Sequence, residues 1–72
     1  MPRLPAISGE DLVSRLERKG YRHVRTRGSH ARLYPPHGSA LKKVTVPLHA
    51  HLKKGTLSDI MKDAGLTVED LQ

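Results

Sequence analysis

The chain has no cysteine, phenylalanine or tryptophan. Without cysteine it cannot form disulfides, thiolate zinc sites or a cysteine nucleophile. Tyr21 and Tyr34 are its only aromatic residues, which argues against a protein that stacks nucleic-acid bases along a row of aromatic rings. No apolar run approaches the roughly 20 residues that span a bilayer, and residues 1–5 lack the apolar stretch of a signal peptide. We therefore expect a soluble, cytoplasmic protein with no membrane partner.

The chain is also short, with 72 residues. A domain of this size buries only about 60% of the surface that its unfolded chain exposes. There is no room for a cofactor domain beside a substrate domain. We expect one domain over residues 1–72, with no cofactor and no small-molecule ligand.

Acidic residues are missing from the middle of the sequence. No Asp or Glu occurs between Arg18 and Ser58, and all five histidines lie in that stretch. The formal net charge is +6, and a basic balance of this kind favours a polyanionic partner. A merely soluble basic surface is the alternative. The same stretch holds ten cations, namely Arg18, Lys19, Arg22, Arg25, Arg27, Arg32, Lys42, Lys43, Lys53 and Lys54.

The N-terminal part has the apolar spacing of an amphipathic helix from about residue 9 to residue 19. Ser8 is a favourable N-cap, and Asp11 stands three residues later, where a capping-box acid belongs. Gly20 supplies the left-handed residue that ends such a helix.

The C-terminal part predicts a second amphipathic helix over about residues 56–64. Thr56 and Asp59 form a plausible capping pair, and Gly65 is the stop. Residues 68–71 predict one more short helical turn.

Three short strands are predicted between the helices, over about residues 22–27, 30–34 and 41–46. Tyr21 and Val24 both look like core residues but differ in parity, so we expect either a bulge in the first strand or a late strand start. The order predicts a two-layer α+β fold, α-β-β-β-α, in which both helices cover one face of a three-stranded antiparallel sheet. The other face of the sheet is then open. Alternation places eight residues on it, namely His23, Arg25, Arg27, His30, Arg32, Tyr34, Lys43 and Thr45. A solvated sheet with basic decoration is the alternative interpretation.

Five segments, in order, resemble the HicA toxin family across nearly the whole chain, from about Leu4 to Leu71. None is specific by itself, but their combination in a small basic chain is. They are Gly20-Tyr21, Gly28-Ser29-His30, residues 44–49, residues 54–57 and residues 60–66.

The resemblance implies a toxin of a toxin–antitoxin pair that cleaves mRNA and is blocked by a separately encoded HicB antitoxin. It also implies a fold like that of a double-stranded-RNA-binding domain. His30 matches the family's catalytic histidine, and His49 matches its Val-Pro-x-His motif. Lys53 and Lys54 stand where the family has lysines, and we expect them to contact RNA phosphate; a solvated loop is the alternative. The chain departs from the family pattern at Asp59, where a basic residue is common.

The chemistry of the residues fits that role for His30. A ribonuclease without a metal needs a group that exchanges protons near neutral pH, and imidazole does so. The neighbouring Arg25, Arg27 and Arg32 can hold a phosphate. Ser29 can donate a hydrogen bond to that phosphate, and Lys43 can form an ion pair with it. An exposed strand histidine without a role is the alternative.

A metal site is not expected. His49 and His51 lie two residues apart and can point the same way on an extended segment. Two ligands are too few, and no acid is near them in sequence. His49 remains a possible auxiliary residue of the site.

We therefore predict a metal-independent endoribonuclease toxin, with mRNA and a HicB-type antitoxin as partners. Two other classes stay open. One is an RNA-binding module that does no chemistry, and the other is a small interaction protein whose basic face docks an acidic partner.

Overall fold

The computed structural model describes residues 4–72, so residues 1–3, which we assigned to the same domain, lie outside it. Two helices, one three-stranded antiparallel sheet and a C-terminal 3-10 turn form the α+β fold expected from the sequence. The elements are α1 (Gly9–Arg18), β1 (Arg22–Arg27), β2 (His30–Tyr34), β3 (Val44–Pro47), α2 (Lys54–Ala64) and the turn η1 (Val68–Leu71).

The Ser8 cap and the Gly20 stop of α1 form as the sequence predicts, but the Asp11 carboxylate accepts no hydrogen bond from the Ser8 N–H, so the capping box is only half formed. The N–H of Asp11 donates to Ser8 Oγ at 3.0 Å, which satisfies one of the free donors of the first turn. At the other end Gly20 has a φ of +98°, and the N–H of Tyr21 donates to the Leu16 carbonyl at 3.0 Å. This is the Schellman arrangement, in which a left-handed residue turns the chain back on the last helical carbonyls. It directs the chain straight into β1.

Strand β2 is the centre of the sheet, with β1 and β3 as its edges. His30 pairs with Arg27 on one side and with Pro47 on the other. The register of β1 against β2 shifts between His23 and Arg25, so of the two expected irregularities the structure has the bulge, and β1 begins at Arg22 without delay. Because β2 is flanked on both sides, its side chains occupy the middle of each sheet face.

The two helices cover one face of the sheet. That face contributes Ala31, Leu33, Val44 and Val46 to the core. No polar or charged residue among residues 4–72 is buried there. The helices, the turn and the flanking segments supply the rest of the core, namely Ile7, Leu12, Val13, Leu16, Tyr21, Leu57, Ile60, Met61, Ala64, Leu66 and Leu71. None of the described helices is long and apolar enough to cross a membrane.

The predicted start of the third strand at residue 41 is wrong, since β3 begins at Val44. The backbone of Lys42 is bound outside the sheet: its N–H donates to the Asp63 carbonyl at 3.2 Å, and its carbonyl accepts the hydroxyl of Tyr21 at 2.5 Å. Burial, and secondly the Asp63 carboxylate, raise the pKa of Tyr21, so the phenol stays a donor. The segment before β3 is therefore fastened to the helix layer instead of extending the strand.

The predicted start of the second helix at residue 56 is also wrong, since α2 begins at Lys54. Lys53 is the N-cap residue and its side chain makes no capping bond. The N–H of Leu57 already donates to the Lys53 carbonyl at 2.9 Å, so Thr56 lies inside the helix and does not cap it with Asp59. The predicted stop is confirmed: Gly65 has a left-handed φ of +65°.

The first residue of α1 packs directly on the chain that leaves β3. A Cβ atom on Gly9 would lie 2.0 Å from the Pro47 carbonyl oxygen and 2.7 Å from the Leu48 Cα. The N–H of Gly9 donates to the His49 carbonyl at 2.9 Å. Because both neighbours are backbone atoms, only glycine permits this approach, which joins the helix layer to the end of β3.

Candidate functional site

The sheet face turned away from the helices, hereafter the open face, is organised in three rows that run across the strands. Directly opposed residues on neighbouring strands point to the same face, with Cβ atoms about 5 Å apart. The first row is Arg27, His30 and Pro47; the second is Arg25, Arg32 and Thr45. The third row pairs Arg22 with Tyr34.

A shallow depression of about 270 Å³ surrounds His30 on this face. We call it the His30 depression. The predicted phosphate-binding arginines are brought together around the histidine, as the alternation of β1 and β2 required. The residues that line the depression are Arg25, Arg27, His30, Arg32 and Thr45.

His30 owes its place at the first position of β2 to a tight hairpin turn. Gly28 has a φ of +58°, and Ser29 follows it with a negative φ, as in a two-residue hairpin with glycine at its first central position. The Ser29 carbonyl accepts the N–H of Leu48 at 2.6 Å, which ties the turn to the chain leaving β3. A Cβ on Gly28 would meet no atom within 4 Å, so the space around the turn is open.

The charge distribution of the site follows the two layers. All seven acids lie in α1, α2 and η1, and none lies on a strand. The side chains of Arg25, Arg27 and Arg32 are exposed, and none of them makes an ion pair within residues 4–72. The open face therefore presents positive charge with no carboxylate to neutralise it, which suits an anionic ligand.

The bulge in β1 corrects two placements from the sequence. His23 is opposed to Leu33, a core residue, so it lies on the helix side of the sheet and not on the open face. Its Nε2 lies 2.7 Å from the hydroxyl of Thr26. Val24 is not a core residue: it is the extra residue of the bulge and is 47% exposed.

A second depression, of about 350 Å³, adjoins the first on the open face. We call it the Tyr34 depression. It is lined by Arg22, Val24, Arg25, Arg32 and Tyr34. Sequence reasoning missed Arg22 and Val24 here, although the expected bulge was the signal: an extra residue reverses the alternation of everything before it.

Lys43 precedes β3 and lies on the open face, as expected. Its Nζ is 5.9 Å from the centre of the Tyr34 ring, which is within the range of a cation–π contact. It continues the third row, so Tyr34 stands between a β1 arginine and this lysine.

His49 and His30 line different depressions. It lines a separate depression of about 340 Å³ with Ser8, Glu10, Leu48 and Ala50, at the start of α1. The structure therefore does not bring the predicted auxiliary histidine into the His30 depression.

Lys53 and Lys54 are exposed at the start of α2, and they line none of the three depressions. They stand at a helix end where positive charge is unfavourable without an anion. Within residues 4–72, no three His, Asp or Glu side chains come together in a cluster that could hold a metal ion.

The protein family follows from a match over most of the chain. The model of the family of HicA toxins of bacterial toxin–antitoxin systems matches residues 9–66. The chain belongs to the HicA toxin family. The matched span begins at the glycine that packs on the end of β3 and includes all three strands and both helices. No curated protein sequence matches the chain.

Membership of the HicA family makes the chain a toxin of a toxin–antitoxin system, so its partner is of the antitoxin kind. The open face, with the His30 and Tyr34 depressions, lies entirely inside the matched span.

Proposed function

We propose that this HicA-family toxin is an endoribonuclease that cleaves mRNA in the cytoplasm, with His30 as its catalytic residue and no metal ion. One observation carries the proposal: His30 lies in a depression with three arginines on a face that bears no carboxylate. An imidazole and several guanidinium groups are what cleavage of an RNA phosphodiester requires, namely a proton acceptor and positive charge around the phosphorus.

The reaction is an internal transfer at phosphorus. His30 takes the proton of the 2′-hydroxyl, and the 2′-oxygen forms a bond to the adjacent phosphorus. The bond from phosphorus to the 5′-oxygen breaks, and that oxygen takes a proton from His30 or from water. The products are a 2′,3′-cyclic phosphate, which can open to a 3′-phosphate, and a 5′-hydroxyl end.

The arginines act on the phosphate. Arg27 is opposed to His30, and Arg25 and Arg32 are opposed to each other in the next row. Guanidinium groups at these positions can contact the phosphate oxygens in pairs and stabilise the charge that develops in the transition state. A guanidinium group has N–H donors and no acceptor, so proton transfer is left to the histidine.

Other cations extend the proposed RNA track beyond the depression. Lys43 lies beside the Tyr34 ring, and Lys53 and Lys54 stand at the start of α2. Ser29, in the hairpin turn before His30, is a proposed hydrogen-bond donor to phosphate. His49 lies in a different depression, so we propose for it a role outside proton transfer.

The antitoxin is proposed to be of the HicB type and to cover the open face. Burying several unpaired arginines is costly, so the partner must supply carboxylates where it meets them. An acidic antitoxin surface over the His30 depression would exclude RNA by occupying the same charges.

The test is cleavage of RNA by the full chain and by His30→Ala. Loss of a general base costs about 100-fold to 10,000-fold in rate, whereas removing an exposed side chain changes stability by no more than about 0.5 kcal/mol. His37→Ala is the matched control, because His37 is exposed in a turn and lines none of the three depressions. Cleavage should persist in a chelator, and the new ends should carry the cyclic phosphate.

A His30→Ala chain that cleaves at the parent rate would remove His30 from the mechanism. Activity that a chelator abolishes and zinc or manganese restores would show a metal enzyme instead. If the parent chain binds RNA and never cleaves it, the alternative of a non-catalytic RNA-binding module is correct.

A further inference from the structure

The two tyrosines of the chain have opposite environments. Tyr21 is 3% exposed, and its hydroxyl is bound to the Lys42 carbonyl. Tyr34 is 37% exposed on the open face, where it lines the Tyr34 depression. The chain has no Phe or Trp, so apart from the His30 imidazole, Tyr34 is the one aromatic ring that the described open face presents to a ligand.

The ring has a cationic and apolar setting. Arg22 is directly opposed to it on β1, and Lys43 Nζ lies 5.9 Å from its centre. Val24, which the bulge turns outward, adds an apolar wall to the same depression. A partly exposed ring with Arg22 and Lys43 beside it fits a flat ligand that carries negative charge next to its flat part.

The Tyr34 depression is continuous with the His30 depression. Arg25 and Arg32 line both. His30 and Tyr34 are the two ends of β2, so their Cα atoms lie about 13 Å apart along the strand. A ligand whose phosphate occupies the His30 depression therefore extends across the shared arginines toward the ring.

We propose that the Tyr34 depression binds one nucleobase of single-stranded RNA, stacked on the Tyr34 ring, close to the bond that is cleaved. The proposal rests on the proposed function and assigns the same face a second subsite. Aromatic stacking binds any base by its π-face, and the arginines beside the ring hold the phosphates that flank the nucleotide. Bases inside a duplex are stacked on one another, so the subsite selects unpaired RNA.

Binding is measured with the full chain carrying His30→Ala, so that the RNA stays intact, and with a labelled single-stranded RNA oligonucleotide. Adding Tyr34→Leu should weaken binding about 10-fold, within the range that loss of one stacked base produces. Adding Tyr34→Phe, which keeps the ring, should leave the affinity close to that of the His30→Ala chain. Leu41→Ala is the control, because Leu41 is 39% exposed but packs against Gly65 in the helix layer.

Two further measurements, tyrosine fluorescence and an abasic scan of the RNA, test the stacking and identify the stacked base. The fluorescence of the His30→Ala chain comes only from Tyr21 and Tyr34, and stacking should quench the exposed ring when RNA binds. An oligonucleotide with an abasic residue moved along it should show one position at which affinity falls about 10-fold. At that position Tyr34→Leu should cause no further loss, because the same contact is already missing.

Unchanged affinity in Tyr34→Leu, with no abasic position that matters, would overturn the subsite. So would a Tyr34→Leu chain that loses antitoxin binding and keeps RNA binding, since the ring would then serve the protein partner. Neither result depends on cleavage. The catalytic role of His30 is tested separately by the cleavage rate, so either proposal can fail while the other stands.

Discussion

In β2 and β3 the two faces of the sheet have opposite properties, whereas every residue of β1 is exposed. The face under the helices carries Ala31, Leu33, Val44 and Val46, each at most 5% exposed. The open face carries arginines, His30 and Tyr34, all exposed. In β2 the two sets alternate residue by residue, so His30 and Arg32 are separated by a fully buried alanine.

The comparison shows how a small domain separates stability from function. Apolar burial is the main stabilising term of folding, and here it is confined to one side of the sheet. The other side can then hold unpaired positive charge without burying it, which avoids the desolvation penalty of buried ions. Substitutions on the two faces should therefore have different consequences even when they are neighbours in sequence.

The largest effect is expected from reversing the charge of the open face. Arg25, Arg27 and Arg32 all replaced by Glu should weaken binding of RNA and of the antitoxin by at least about 10,000-fold. Each broken charge pair costs roughly 2–5 kcal/mol, and reversal adds repulsion. Both affinities are measured by titration at two salt concentrations, because the parent's binding should weaken with salt.

The control for this variant changes the same amount of charge elsewhere. Arg18, Lys42 and Lys62 are exposed and line neither depression of the open face, and reversing them also takes the formal net charge from +6 to 0. Both affinities should stay far above those of the first variant. If RNA binding is lost and antitoxin binding is unchanged, the antitoxin docks outside the open face.

A smaller effect separates two adjacent residues of β2. Leu33→Ala should lower the free energy of unfolding by about 2–5 kcal/mol, because it leaves a cavity in the core. Arg32→Ala should change it by less than about 0.5 kcal/mol and instead weaken RNA binding and its salt dependence. Urea unfolding and RNA titration of both variants test this. Equal destabilisation by the two would show that the faces are not independent.

The open face could be predicted from the sequence where one strand alone decides it. The pattern of β2 places Ala31 and Leu33 inward and His30 and Arg32 outward, whatever the neighbouring strands do. The ends of α1 are likewise local, since Ser8 and Gly20 act through hydrogen bonds to residues within five positions.

Features set by distant contacts were not predictable. β3 begins late because Lys42 is bound to Tyr21 and to Asp63, which lie 21 residues away on each side. In the sequence, Gly9 has the position of an ordinary first residue of a helix. Only the folded structure shows that a side chain there would clash with the Pro47 backbone. The bulge was one of the two predicted irregularities, but its consequence for His23 depends on where the extra residue falls.

The smallest effect is expected in the helix layer, where the stability contributed by one carboxyl group depends on pH. The Asp70 carboxylate accepts the N–H of Thr67 at 2.8 Å and its hydroxyl at 3.2 Å, and Lys19 Nζ lies 3.5 Å away. The hydrogen bond from the Thr67 backbone N–H is the largest cause that lowers the pKa of Asp70. Burial, the second in size, opposes it, and the Thr67 hydroxyl and Lys19 lower the pKa further.

A carboxyl group with a lowered pKa in the folded state stabilises the fold above its unfolded pKa of about 4. As the pH falls from about 4, the unfolded chain binds a proton before the folded chain does, so this stabilisation shrinks. Below the folded pKa both states are protonated and the contribution is gone. Asp70→Asn should therefore be less stable than the parent at neutral pH, and the difference should shrink as the pH falls below about 4. Glu69→Gln removes the same charge from a side chain with no hydrogen bond or ion pair to residues 4–72, and as the control it should stay closer to the parent than Asp70→Asn at neutral pH. Thermal unfolding across this pH range measures both, and RNA binding at neutral pH should be equal in all three chains. A loss of RNA affinity in Asp70→Asn would mean that the helix layer affects ligand binding at the open face, so the two faces of the sheet would not be independent.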